Sequence, residues 1–79
     1  MNCMQIIQVI TWRDRNNDQN YMRFHLADSL DDAFNFRHKF YQGKIAQYGG
    51  YHVIHNSQIK SVEDLIREDP YFKRFKLVQ

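Results

Sequence analysis

One cysteine, one proline and three glycines stand in a chain of 79 residues. A lone Cys3 excludes an intramolecular disulfide framework and a cysteine-built structural zinc site. So little proline and glycine, beside 43% hydrophobic residues, excludes an intrinsically disordered or collagen-like chain. Charge of one sign is also lacking: 11 Lys and Arg against 9 Asp and Glu leave a formal +2. That is too mild for a nucleic-acid mimic and weaker than a counterion-releasing nucleic-acid reader favours. Long apolar runs are missing as well. Ile6-Ile7 and Val9-Ile10, parted by Gln8, fall far short of the ~20 residues of a spanning helix. Met1–Gln5 carries no positive segment of the kind that opens a signal peptide. The expectation is a cytoplasmic chain without membrane contact, forming one domain over residues 1–79.

What is present is aromatic. Six Phe, five Tyr and one Trp make up 15% of the chain. Each buried ring removes about 150–250 Å² from water, which lets a short chain assemble a sufficient core. Six Asn and seven Gln add a polar, weakly charged surface.

Met4–Arg13 reads as an interior strand. Met4, Ile6, Ile10 and Trp12 share one face, interrupted by Gln8, and Ile7 and Val9 lie on the other. The polar stretch Asp14–Asn20 favours a turn. Tyr21–Leu26 alternates, with Met22, Phe24 and Leu26 on one side and Tyr21, Arg23 and His25 on the other, which predicts an antiparallel hairpin. Ser29 with Asp32 predicts a capped helix start, and Leu30, Ala33, Phe34, Arg37, Phe40, Tyr41, Ile45 and Tyr48 recur at helical spacing. Phe36 lies off that stripe. The helix is predicted to end at Gly43 or Gly49, with the longer form preferred because Ile45 and Tyr48 keep the phase. Tyr51–His55 reads as a strand. Ser61, with Asp64 three residues on, predicts a second helix whose inward face is Val62, Leu65 and Ile66. Asp69-Pro70 stops it, and Asp69 can cap one further turn. Phe72 and Phe75 then return to the core, ahead of a basic and apolar tail. The predicted fold is α+β: a small antiparallel sheet in the order β-β-α-β-α, with a long aromatic helix packed on one face.

Chemistry-bearing patterns are sparse. His52 and His55 sit at odd spacing in a strand and so point to opposite faces, which prevents a shared metal. His25 and His38 lack acids at ligand spacing. The carboxylates cluster near helix ends, where capping and the helix dipole explain them. Gly49-Gly50 precedes a strand, so it cannot present a helix N-terminus to a phosphate. Cys3 has no basic neighbour to activate it. No catalytic residue, metal or cofactor is expected.

Two surfaces remain as candidates. The outer hairpin face and its end carry Trp12, Arg13, Arg15, Tyr21, Arg23 and His25, alternating basic and aromatic side chains of the kind that stack on bases and pair with phosphates. The C-terminal segment offers Tyr71, Lys73, Arg74 and Lys76. Tyr, Trp and Arg are also the side chains enriched at protein-interface hot spots.

From Val9 to Phe40, a strand ending in Trp12-Arg13-Asp14, a polar turn, the strand Tyr21–Leu26 and a helix together resemble the arm-type DNA-binding domains of phage integrases. Those domains carry three strands before the helix and more Lys and Arg. The resemblance implies DNA binding. Asp69-Pro70-Tyr71 after an acidic helix resembles the segment near the end of ferredoxin-like YciI-type domains, whose candidate catalytic His–Asp pair has no counterpart here. Neither local resemblance assigns a family.

The leading expectation is a small non-catalytic regulatory or inhibitory protein, monomer or homodimer, that docks on a larger protein or ribonucleoprotein. By analogy of size and missing chemistry alone, phage and mobile-element inhibitors of host defence complexes have this character. The alternative is a nucleic-acid-binding accessory protein that uses the exposed hairpin face.

Overall fold

The computed structural model describes residues 5–40 and 49–78. Strand β1 (Ile6–Asp14) turns back into β2 (Gln19–Ala27) across four residues, with Asp18 in the left-handed region at φ 56°. Asp accepts that conformation because its short side chain hydrogen-bonds locally. Asp14 and Asn17 tighten the turn by accepting from the backbone N–H groups of Asn16 and Gln19 at 2.9 and 3.1 Å.

Helix α1 (Leu30–Phe40) starts where the sequence places it. Ser29 Oγ accepts from Asp32 N–H at 3.0 Å, and Asp32 Oδ2 accepts in return from Asp28 N–H at 3.3 Å. Reciprocal bonds of this kind satisfy N–H groups that the helix leaves open. Strand β3 (Gly49–Ile54) follows, then α2 (Val62–Glu68), a 3-10 helix (Pro70–Arg74) and a two-residue strand β4 (Lys76–Leu77). Ser61 caps α2 by accepting from Asp64 N–H at 3.2 Å, and Asp69 caps the next turn by accepting from Tyr71 N–H at 3.1 Å.

The described order is therefore β-β-α-β-α-β, and the sheet runs β3-β1-β2-β4. The expected antiparallel sheet is mixed: β2 and β3 each pair antiparallel with β1, whereas β4 pairs parallel with β2. A strand of two residues has no alternation to read, so the sequence shows only a basic and apolar tail there. Val78 N–H extends the pairing to the Met22 carbonyl at 2.8 Å. The long helix is described only over its 11 residues Leu30–Phe40. Its predicted continuation through Tyr41, Ile45 and Tyr48, its stop at Gly43, and Cys3 all lie outside the described residues, and Gly49 already belongs to β3.

Both sheet faces are covered, and register assigns each side chain. Ile7 stands opposite Leu26 and Ile54, and Val9 opposite Phe24 and His52. This face meets Ile59, Leu65 and Phe72 in the apolar core, with Val62, Ile66, Phe75 and Leu77 packed around it. The reverse face carries Ile6, Gln8 and Ile10, opposite Ala27, His25 and Arg23, and α1 lies across it.

The phase of α1 departs from the predicted stripe. Phe36, read as off the stripe, is buried, while Leu30 and Phe34 are 66% and 69% exposed. Ala33, Phe36 and Phe40 form an equally regular i, i+3, i+7 series. The sheet selects it, because Phe36 stacks on His25 with ring centroids 4.4 Å apart and Gln8 Nε2 donates to the Ala33 carbonyl at 2.8 Å.

Candidate functional site

The residues singled out in sequence divide between two clefts. The first, about 340 Å³, lies between β2 and α1 and includes Arg23, His25, Asp32, Lys39 and Phe40. Here the hairpin face is not an open strand surface. His25 stacks on Phe36, and its Nε2 lies 3.2 Å from Asp32 Oδ2. The Arg23 guanidinium sits over the Phe40 ring, 4.4 Å from the centroid. Sequence spacing alone gave His25 no acidic neighbour; the crossover to α1 brings Asp32 to it. Tyr21 stands at the edge of this face and stacks on Trp12 at 5.8 Å.

The second cleft, about 390 Å³, lies at the far end of the sheet, where the β1–β2 turn, the start of β3 and the 3-10 helix converge. It brings together Trp12 and Arg13 from the hairpin with Tyr71 and Arg74 from the C-terminal segment, two groups that the sequence offers as separate candidates. Arg13 is paired with Asp18 of the turn. Arg74 lies over the Tyr71 ring at 4.5 Å and donates from Nε to the Tyr71 carbonyl at 3.0 Å, so its guanidinium is held flat against an aromatic face. Arg15 in the turn and Lys73 on the 3-10 helix are exposed and do not line either cleft.

The floor comes from residues that sequence reading left aside. His52 Nε2 lies 3.4 Å from Thr11 Oγ1. Its ring meets Phe72 edge-on at 5.2 Å and Tyr71 at 6.3 Å. Burial lowers the His52 pKa, and the nearby Asp69 carboxylate opposes that shift only in part. The imidazole is therefore the neutral, hydrogen-bonding form at neutral pH. Gly50 keeps the floor low: a Cβ there would stand 3.1 Å from His52 Nε2 and 3.2 Å from Thr11 Oγ1. The signal for this floor is the register of Thr11 against both Gly50 and Met22, which pairing of three strands supplies and a single strand pattern does not.

Among the described residues no group of three or more His, Cys, Asp or Glu side chains could hold a metal ion. His52 turns toward Thr11, while His55 lies beyond the end of β3. No helix among the described residues is long and apolar enough to cross a membrane.

Compared with protein-family models, with curated proteins and with solved structures, the chain matches none.

Outside both clefts, α1 carries an apolar strip. Arg37 lies over the Tyr51 ring of β3 at 5.0 Å, which identifies the β3 side of the helix. Leu30 and Phe34 stand seven and three residues before Arg37, on that same side. Val53, opposite Gln8 on the face that α1 covers, is 44% exposed. The Phe34 ring lies parallel to His38, with centroids 6.2 Å apart and 6° between planes, which broadens the strip.

Proposed function

We propose that the chain is a small non-catalytic binding protein that docks on a larger protein through the β3 side of α1. The observation that carries this reading is the exposure of Leu30 and Phe34 at i, i+4 on a helix whose adjoining side, Ala33 and Phe36, is anchored to the sheet. Large apolar side chains exposed together on a small domain mark an interaction surface. Anchors at i and i+4 fit an apolar groove on a folded partner. The basic last turn of α1, Arg37, His38 and Lys39, suits a groove whose rim is acidic at that end. Neither a metal nor a cofactor enters this reading. A regulatory or inhibitory outcome would follow from occupying a groove that the partner uses for another ligand.

The test is recovery of a stoichiometric complex from the native host with tagged wild-type chain and with Phe34→Asp and Leu30→Asp. The wild-type chain is expected to hold one partner that both substitutions release, while Arg74→Ala retains it. A complex that survives both aspartates, or no stoichiometric partner at all, would overturn the reading.

A further inference from the structure

We infer that the cleft between the β1–β2 turn, Gly50 and the 3-10 helix is a nucleotide site, with a phosphate held between Arg13 and Arg74 and a base against the aromatic wall. Four observations support this. First, two arginines and no carboxylate line the cleft, and Asp18, which pairs with Arg13, stands in the turn outside that lining. Second, both guanidiniums are oriented before any ligand arrives, Arg13 by Asp18 and Arg74 by the ring and carbonyl of Tyr71. A guanidinium fork held in place is suited to bidentate phosphate contact. Third, Tyr71 and Phe75 supply π-faces and edges in the same cleft, and Tyr71 is 42% exposed. Bases stack on such side chains without requiring a particular sequence. Fourth, the floor offers polar groups sized for a sugar or base edge: the Thr11 hydroxyl, the neutral His52 ring and the Asn20 amide, over a glycine that keeps the space clear. A volume of about 390 Å³ lies within the usual range for a small-molecule site.

This site is independent of the docking strip on α1. The nucleotide can be free or can belong to a single strand of nucleic acid. In the second case the neighbouring phosphates would run past the exposed Arg15.

Trp12 is the only tryptophan and stands between Thr11 and Arg13 of the cleft, so its fluorescence senses the cleft through the strand they share. The experiment titrates the whole chain with uridine 5′-monophosphate and with an eight-residue oligouridine, beside inorganic phosphate and a phosphoserine peptide. Saturable quenching by either uridine ligand is expected, weakened roughly tenfold by Arg74→Ala and by Arg13→Ala. Gly50→Val, which fills the floor, is expected to abolish it, with circular dichroism verifying that each variant folds. Tighter, strongly salt-dependent binding of the oligomer assigns the site to a strand, and equal binding of the monophosphate assigns it to a free nucleotide. No saturation at millimolar ligand, an unchanged affinity in folded arginine variants, or equally tight binding of inorganic phosphate or the phosphopeptide would overturn the inference.

Discussion

On one side of the sheet, Ile7, Val9 and Met22 meet Leu65 and Phe72 in an apolar cluster, with the buried Thr11 beside Met22 on the same face. On the other, the layer beneath α1 is centred on Gln8, wholly buried, whose Nε2 donates to the Ala33 carbonyl and to the Tyr51 hydroxyl at 2.8 and 2.7 Å. Its Oε1 has no hydrogen-bond partner among the described residues. The first side gains from non-directional burial and tolerates approximate geometry. The second depends on directed bonds that fix where α1 sits, because an amide buried in a layer must find its partners or bear the cost of desolvation. The division separates non-directional burial from directed positioning. The apolar side holds the fold, and the polar side positions a helix that leaves Leu30 and Phe34 exposed.

Four substitutions or conditions separate the two sides. The largest effect is expected from Leu65→Ala, which leaves a cavity at a fully buried site and should cost about 2–5 kcal/mol in chemical denaturation. A loss well under 1 kcal/mol would mean that the α2 side does not hold the fold. Gln8→Leu comes next. It removes both donated bonds and should cost roughly 1–3 kcal/mol, and Tyr51→Phe in the same chain should recover part of that loss because the hydroxyl no longer lacks its partner. If the double variant is as unstable as the sum of the singles, Gln8 acts through volume and not through its bonds.

A smaller effect comes from pH. Burial favours neutral His52 in the fold, so its folded pKa lies below the ordinary 6.5 and the unfolded chain binds the proton first. Stability should fall as pH drops through 6.5 toward the folded value. The wild-type denaturation midpoint is expected to drop more between pH 7.5 and pH 5.5 than that of His52→Gln, and equal drops would remove His52 from the account. The smallest effect belongs to Phe34→Asp, which should change stability by no more than about 0.5 kcal/mol. A larger loss would show that the strip serves the fold rather than a partner.

Much of this architecture is legible in the residues. The alternation of β1 and β2, the Ser29 and Ser61 caps and the Asp69-Pro70 turn are local signals, written within a few positions of where they act. The phase of α1 was not legible, because Leu30–Phe34 and Ala33–Phe36–Phe40 are both good helical stripes and only the position of Gln8 and His25 on the sheet chooses between them. The second cleft shows the same limit. Arg13 and Arg74 are visible as basic residues, yet they stand 61 positions apart in the chain. Their meeting depends on a parallel edge strand too short to leave a pattern.

That edge strand also shapes how the molecule assembles in time. The β1–β2 pairing closes over a four-residue turn and needs no distant partner, so it can form within microseconds. The pairing of β4 with β2 must wait until α2 and the 3-10 helix have crossed the sheet, and it rests on two residues and the Val78 amide. Hydrogen exchange should follow the same order, with the amides of β1 among the slowest and that of Val78 among the quickest of the sheet. Because Arg74 stands two residues before this last-docked strand, the far-end cleft would be completed only by the final event of folding and would be the first to open when the chain begins to come apart.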